Sequence, residues 1–543
     1  MKKILPVIFL GCIYRILIGL QGVDGVDAGF CNTFYQIIFS DPDSNIFCFI
    51  YYLLGLVGGT WETIFGNFGL IGFRVLEAIT LTSAVMVLSK IFVSEVSTKY
   101  LVAAAVLSFL FPTIVVTFHY DTFTYFLIAL SALFFYLYTV NGNRWYILCT
   151  GIIIAFSFFV RIVNVAQILL LAVPLAWRCR QGRTRQGLID TLSMAVGLLI
   201  GTAFIVVLMI TLGHFPYYIS ALNEAFFTLN DSEATHSTGH LLTQYFSGIK
   251  NIIAQIITVF VLWELFKYSY ELNKRGRIIL QAVLVIAFLV ISYTSLPHLS
   301  VLALCILLIV TAIYKHGNER MSAVCIYLTA ATVVFPIGSD IGFQGIFHWC
   351  VGLLVFPSTW AATKLYSFRL ERALLIATCC IILCALSRTI ITVYGEDALR
   401  WECNEQIQAN RLNVFVEQRK AKKYKRAIKA INDNVDEKRL LFITNQAAEL
   451  YYATRTLPFE GHVQPVIYKG NKLFKRLDER AKHYGQFPLI MFMKQEYPSP
   501  ETPEVQRDTR LWMRRHNYRM VYDDGELQLF KPVTYCFKDN MDT

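Results

Sequence analysis

Long apolar runs separated by short polar stretches occupy most of the chain, up to about residue 394. Many of them have about 17 to 25 residues, the length that an α-helix needs to cross the hydrocarbon core of a bilayer. The pattern predicts a mainly α-helical protein, a polytopic transmembrane bundle of about 13 spans. The predicted spans lie near residues 4–20, 68–92, 100–117, 121–140, 145–160, 163–177, 188–212, 251–268, 278–296, 299–314, 322–336, 345–362 and 372–394.

Three parts of this pattern need interpretation. The runs 145–160 and 163–177 form either two helices or one long helix. The short aromatic run 46–62 either lies along the membrane interface or forms a further helix. Residues 1–20 lack a small-residue cleavage site, so we expect an uncleaved first helix and not a signal peptide.

The composition agrees with a membrane protein. Hydrophobic residues make up 55% of the chain and charged residues only 16%, whereas a soluble protein carries about 25% charged residues. The net charge of +11 does not indicate nucleic-acid binding, because much of it lies in short loops and in the C-terminal region. The thirteen cysteines form no CxxC pair, which favours core residues over a zinc site.

Charge divides the loops into two sets. With a cytoplasmic N-terminus, the basic loops, such as 178–185 and 274–277, fall on the cytoplasmic side, as the positive-inside rule requires. The opposite loops are mainly acidic. An odd number of spans then places the C-terminal residues outside. We therefore expect a multi-pass protein of a bacterial cytoplasmic (inner) membrane, with its C-terminal domain in the periplasm.

Residues 395–543 are predicted to form a small soluble α/β domain, separate from the membrane domain 1–394. The sequence predicts a basic amphipathic helix over 408–432 and a hairpin turn at Asp523–Gly525. It also predicts strands at 439–445 and 488–494, with a helix over 446–454.

The first outer loop, residues 21–45, contains four aspartates and no lysine or arginine. A carboxylate beside the bilayer can deprotonate an acceptor hydroxyl or amine, or hold a metal. Asp24 and Asp27 are three residues apart, so a helical turn would place both on one face. Asp41 and Asp43 are assigned to a turn. The alternative is an ordinary solvated loop.

Two further groups lie at predicted outer ends of spans. His119, Tyr120 and Asp121 open a helix, where they either orient an acceptor or take part in a metal site. The alternative is that Asp121 caps that helix.

Arg161 lies between two apolar spans, and its fork of donors suits the phosphate of a lipid donor. The alternative is that Arg161 extends to the headgroups.

The turn Gly338-Ser339-Asp340 follows the eleventh predicted span. Glycine lets backbone amides approach a ligand closely, so this turn is a candidate for contact with phosphate or sugar. A plain turn between two helices is the alternative.

The segment VDGVDAGFCNTFYQIIFSDP resembles the first periplasmic loop of GT-C superfamily glycosyltransferases. These include the protein O-mannosyltransferases and the lipid A aminoarabinose transferases. Members carry an Asp, often Asp-Glu, shortly after the first transmembrane helix, and that acid is the proposed catalytic base. The matching residue here is Asp27, with Asp24 second, and Ala28 stands in place of the Glu.

Other segments share this resemblance. The Tyr120-Asp121 opening and the Gly338-Ser339 turn are similar to family segments, as is YATRTLPF at 452–459. Arg161 and Asn164 resemble an Arg-x-Pro-Asn pattern in which Val163 replaces the Pro.

The resemblance implies an inverting glycosyltransferase that moves a sugar from a polyprenyl-phosphate donor to an acceptor glycan, lipid or protein outside the membrane. Asp27 or Asp24 would act as base, and His119, Tyr120 and Asp121 would orient the acceptor. Membrane lipids would surround the helices and bind the basic tail. A divalent metal is compatible but not implied, and no metal ligands are assigned. The residues expected at the donor phosphate are Arg161, Asn164, Lys250, Gly338, Ser339 and Asp340.

Other functions remain as alternatives. A lipid or sugar transporter or flippase would place its binding residues near the bilayer midplane, on broken helices in paired halves. A polysaccharide polymerase or ligase would centre on a large outer loop. A non-catalytic assembly protein would present residues 395–543 as a binding domain.

Overall fold

The computed structural model describes residues 1–112, 117–230, 237–294, 297–339, 342, 348–407, 411–463, 471–493 and 502–533. Its first half is a set of packed helices interrupted by short 3-10 segments at Pro42–Tyr51, Gly66–Phe68 and Ile162–Leu171. The helices are α1 Leu5–Ile18, α2 Asp27–Ile37, α3 Tyr52–Phe65, α4 Leu70–Phe92, α5 Thr98–Leu110, α6 Tyr120–Asn141, α7 Arg144–Val160, α8 Ala172–Arg180, α9 Thr184–Thr211 and α10 Phe215–Asn230.

Six further helices complete the bundle. They are α11 Thr238–Ser269, α12 Lys274–Thr294, α13 Pro297–His316, α14 Arg320–Val334, α15 Gly352–Lys364 and α16 Phe368–Ile391.

Length and apolar composition identify the membrane-spanning part of the bundle. Within the described ranges, nine segments are long and apolar enough to cross a bilayer, and four shorter apolar helices accompany them. The nine are Pro42–Phe68, Leu70–Phe92, Tyr120–Asn141, Ile162–Arg180, Thr184–Thr211, Thr238–Ser269, Lys274–Tyr293, Leu299–His316 and Phe368–Ile391. This confirms the predicted polytopic helical bundle.

The structure bears on both open parts of the span pattern. The run 46–62 is helical, with a 3-10 segment that leads into α3. The runs 145–160 and 163–177 are separate, because Arg161 between them is extended, with φ −156° and ψ 123°. The span predicted at 251–268 is longer than expected, since α11 already begins at Thr238.

The C-terminal region, defined here as residues 395–533, carries a five-stranded mixed sheet in the order β4-β3-β5-β7-β6. Strand β3 pairs in parallel with β4 and β5, and β7 pairs antiparallel with β5 and β6. The strands are β1 Glu405–Gln406, β2 Phe415–Val416, β3 Leu440–Ile443, β4 Leu457–Pro458, β5 Leu489–Met493, β6 Tyr518–Asp523 and β7 Leu527–Pro532. The helices are α17 Gln418–Asn434, α18 Glu449–Thr454, α19 Asn471–Tyr484 and α20 Thr502–Arg515.

One helix boundary differs from its prediction. The helix expected over 408–432 begins only at Gln418, because Phe415 and Val416 pair as strand β2 with β1. The backbone N–H of Phe415 also donates to Leu20, immediately after α1. These pairings take up backbone groups that the helix would have used, and they join the C-terminal region to the end of α1.

Candidate functional site

The first outer loop places its two candidate carboxylates differently. Asp27 is the first residue of α2, so its carboxylate lies at the N-terminus of that helix. Asp24 precedes the helix, and its carboxylate accepts the N–H groups of Val26 (2.9 Å) and Ala28 (2.8 Å). The expectation that both lie on one helical face is therefore wrong. Burial raises the pKa of Asp24, while these two hydrogen bonds oppose the shift.

A pair of stacked tyrosines lies beside Asp27. The rings of Tyr51 and Tyr120 are 5.1 Å apart and inclined by 22°, and Phe30 on α2 meets Tyr51 edge-on at 5.5 Å. The Asp27 carboxylate is close enough to act electrostatically on both tyrosine hydroxyls. The aromatic pair thus lies within the electrostatic reach of Asp27, next to the start of α2.

Arg161 also lies against this pair of tyrosines. Its guanidinium is 5.1 Å from the centroid of Tyr120, and Nη1 is 3.2 Å from a carboxylate oxygen of Asp121. Arg161 is only 8% exposed, so this contact fixes its direction. His119 accepts the backbone N–H of Asp121 at 3.4 Å and stacks on Trp349 at 5.7 Å. Arg161, Tyr120 and Asp121 therefore lie together at the aromatic pair, and their roles at an acceptor or a phosphate stay predictions.

Asn164 and Gly338 help to hold the backbone beside Arg161. The Asn164 amide donates to the hydroxyl of Thr124 at 2.8 Å and to the carbonyl of Ser157 at 2.9 Å. Gly338 has φ +80°, and a Cβ there would overlap the side chain of Val163. Both residues fix the segment that follows Arg161.

The remaining donor-site candidates are less central. Ser339 is buried within the turn after α14, with its N–H donating to Pro336 at 3.1 Å. Lys250 lies exposed on α11. Asp340 falls outside the described residues.

The C-terminal region packs directly on α2. A Cβ on Gly29 would overlap the backbone N of Glu449, so glycine permits the close approach of α2 and α18. The Thr33 hydroxyl donates to the carbonyl of Ala448 at 3.1 Å. The Asn32 amide donates to Glu449 at 3.2 Å, and Glu449 is fully buried. We call these interactions the docking contact.

A buried lysine of the C-terminal region donates hydrogen bonds at the start of the first outer loop. Lys420 on α17 lies 3.1 Å from a carboxylate oxygen of Glu396 and donates to the carbonyls of Val23 (2.9 Å) and Gly395. Its side chain is 8% exposed and that of Glu396 is fully buried. The residue before Asp24 is therefore tied to the C-terminal region by a desolvated ion pair.

Two other ion pairs connect the same surfaces. Asp43, expected in a turn, lies 2.7 Å from Arg480 and 3.0 Å from His483 on α19. Glu62 on α3 pairs with Arg411 at 2.6 Å. The outer loop and α3 are thus held at several points by residues from the C-terminal region.

We expect the docking contact to weaken as pH rises. Burial raises the pKa of Glu449 from an ordinary value of 4.5 to about 8, and the neighbouring charge of Asp24 acts in the same direction. Between the ordinary pKa of 4.5 and about pH 8, Glu449 is protonated in the folded chain and ionised in the unfolded chain. The free energy of unfolding therefore declines from about pH 5 through pH 8. Thermal unfolding of the purified chain at pH 5.5 and 8.5 would show a lower midpoint at pH 8.5.

The variant Glu449→Gln should reduce that pH difference, because the amide carries no titrating proton. Glu479→Gln on the exposed face of α19 is the control and should leave the difference unchanged. Burial also raises the pKa of Glu460 to about 8, so some pH dependence should persist in Glu449→Gln. An unchanged difference in Glu449→Gln would contradict the assignment.

The described residues do not assemble a metal site. No group of three His, Cys, Asp or Glu side chains within the described part of the chain is arranged to hold an ion. Asp121, the carboxylate beside Tyr120, pairs with Arg161.

Sequence reasoning did not identify Tyr51, Glu449 or Lys420 as parts of this site. Glu449 is the only charged residue in the predicted helix 446–454, and that isolation is a usable signal. Tyr51 lies in a run rich in aromatic residues, and Lys420 lies in a run of basic residues, so neither is distinguishable by pattern.

Comparison with known proteins bears on the fold. The chain is similar to the crystal structure of the Archaeoglobus fulgidus oligosaccharyltransferase tethered with an acceptor peptide, with a TM-score of 0.51 and 12% identity over 98% of this chain and 74% of that one. This confirms the predicted resemblance at the level of the fold.

Two other solved structures are more distant. The A. fulgidus oligosaccharyltransferase AglB with an inhibitory peptide and dolichol phosphate has a TM-score of 0.49 and 12% identity over 98% of this chain and 74% of that one. ArnT from Cupriavidus metallidurans bound to undecaprenyl phosphate has a TM-score of 0.45 and 11% identity over 97% and 98%. No protein-family model and no curated protein matches the sequence.

Proposed function

We propose that this chain is a membrane glycosyltransferase that transfers a sugar from a polyprenyl-phosphate donor to an acceptor and inverts the anomeric centre. The observation that carries the proposal is the placement of Asp27 and Arg161 around the stacked Tyr51 and Tyr120. A base and a phosphate-binding cation are the two groups that such a transfer needs. The fold shared with an oligosaccharyltransferase supports the proposal.

In the proposed reaction, Asp27 removes the proton from an acceptor O–H or N–H. The freed electron pair forms the bond to the anomeric carbon, and the bond from that carbon to the phosphate oxygen breaks. The phosphate leaves with the electron pair and gains negative charge, which Arg161 stabilises in a site with little water. Asp121 holds Nη1 of Arg161, so the guanidinium needs little reorientation when the donor binds.

The flanking residues have supporting roles. Tyr120 and His119, with Asp121, would line the acceptor side, and Asn164, Gly338 and Ser339 would fix the backbone beside the donor phosphate. Lys250 and Asp340 would extend the donor site. The acceptor would approach beneath the C-terminal region, on the face assigned by loop charge to the outside of the membrane.

We expect Arg161→Lys to raise the donor KM by about tenfold or more, because lysine keeps the charge but loses the fork geometry. Arg161→Gln should also lower kcat. Transfer from a defined lipid-linked sugar gives both parameters. The matched control is Arg144→Lys. Arg144 is an exposed residue at the start of α7, and Arg161 follows the end of the same helix, so this control should behave as wild type. Unchanged kinetics in both Arg161 variants would remove this residue from the donor site.

A further inference from the structure

An apolar groove lies between α11, α12, α13 and α16, at the end of the bundle away from the C-terminal region. Its volume is about 390 Å³, and Trp263, Phe288 and Leu308 are among its walls. Helix α16 shows at which end of the bundle the groove lies. Its first residues line the groove, whereas the carbonyl of its last residue, Ile391, accepts the backbone N–H of Arg400 in the C-terminal region. The groove is therefore at the opposite end from Asp27 and Arg161.

The depth of the groove matches one leaflet of a membrane. Along α13 its lining extends from Leu304 to Lys315, which corresponds to about 16 Å of helix. That is about half of a hydrocarbon core of about 30 Å. A single phospholipid acyl chain in one leaflet has about this length. A polyprenyl chain whose phosphate lies at Arg161 would instead enter the bundle from the end that carries the C-terminal region.

A cluster of cations stands at the mouth of the groove. The guanidinium groups of Arg277 and Arg369 each lie 5.1 Å from the centroid of the same ring, Tyr270. That ring is 5.6 Å from Phe266, which lines the groove. Lys315 lines the same end. Two arginines on one ring, with a lysine nearby, form a concentrated positive site.

The described carboxylates do not neutralise this site. Neither arginine nor Lys315 forms an ion pair with a described residue, and Nε of Arg277 is buried without a hydrogen-bond partner among them. The carboxylates on the neighbouring helix ends form ion pairs with other lysines, and Glu271 is exposed to solvent. Glu264 pairs with Lys267, Glu319 with Lys364, and Glu371 with Lys99.

We propose that this groove binds one acidic phospholipid, with its phosphate between Arg277 and Arg369 and one acyl chain against Trp263 and Phe288. Arginine pairs offer the forked donors that match a phosphate, and basic pockets between transmembrane helices suit anionic headgroups. The apolar walls add burial of the chain. The proposal is independent of the glycosyltransferase assignment, because the groove and the residues around Asp27 lie at opposite ends of the bundle.

Native mass spectrometry of the full chain, with added phosphatidylglycerol, phosphatidylcholine or inorganic phosphate, tests the proposal. We expect phosphatidylglycerol to bind about tenfold or more tightly than phosphatidylcholine. Arg277→Gln with Arg369→Gln should abolish this preference. Ala377→Trp should fill the groove and weaken retention of both lipids while the arginines remain.

The matched control is Arg183→Gln with Arg185→Gln, two exposed arginines that follow Arg180, whose guanidinium donates to the carbonyl of Ile313 on α13. It removes the same charge and should keep the preference. Equal binding of the two lipids by wild type, or equal loss in the control, would overturn the proposal. Displacement of phosphatidylglycerol by inorganic phosphate would also overturn it. The same holds if a polyprenyl phosphate displaces phosphatidylglycerol and no longer binds to the Ala377→Trp variant. Size-exclusion profiles check that each variant is folded.

Discussion

Replacing Asp27 by asparagine is expected to lower the rate of sugar transfer by about 100- to 10,000-fold, the usual contribution of a positioned general base. Asparagine keeps the size of the side chain but cannot take the acceptor proton. The chain should stay folded, because Asp27 is partly exposed at the start of α2. Transfer from a polyprenyl-phosphate sugar to a mixture of acceptors measures the effect.

The variant Asp24→Asn distinguishes the role of the general base from the role of stabilising the first outer loop. Asp24 accepts the N–H groups of Val26 and Ala28 with its two different oxygens, and asparagine keeps only one of these acceptors, so the change should cost about 1 kcal/mol of stability with a smaller effect on rate. Asp397→Asn, at an exposed position beyond the bundle, is the control and should be active. Full activity in Asp27→Asn, Asp24→Asn and the double variant together would show that neither aspartate is the base.

Replacing Arg15 by methionine should destabilise the bundle by about 3–5 kcal/mol. Arg15 and Glu77 are both fully buried and lie 2.7 Å apart, and Arg15 also donates to the carbonyl of Pro112. The variant leaves the Glu77 carboxylate without its charge partner in an apolar interior. Denaturation of the detergent-solubilised chain, followed by tryptophan fluorescence or circular dichroism, measures the loss.

The double variant Arg15→Met with Glu77→Met is the informative control. Both charges are then absent, so stability should return to near the wild-type value. Lys99→Met breaks an exposed pair with Glu371 and should leave the stability close to that of the wild type, because solvent screens such a pair. A double variant no more stable than Arg15→Met alone would mean that packing, and not the unpaired charge, causes the loss.

Apolar periodicity was enough to predict the bundle because each span must satisfy its own backbone groups and bury its side chains over a fixed thickness. It could not predict that Arg161 would be extended, since the residue on its C-terminal side continues the apolar pattern. Nor could it predict the late start of α17, because a basic amphipathic pattern continues through Arg411 and only tertiary pairing makes Phe415 a strand residue.

Part of the candidate site was predictable because its residues are polar within apolar surroundings. Asp27, Asp121 and Arg161 stand out against such neighbours. The roles of Glu449 and Lys420 depend on contacts across almost the whole chain, and local pattern carries no information on those. The docking contact shows that the acidic loop is not a free solvated segment but part of an interface.

The contact between Lys420 and Val23 has a consequence for the order of events during synthesis. The two residues are 397 positions apart, so at usual translation rates the loop emerges about 20 to 80 s before its partner. During that interval Asp24 and Asp27 lack the surface that holds their loop. Newly made chains would therefore be inserted but inactive, and catalytic competence would appear only after the last part of the polypeptide has folded against the first.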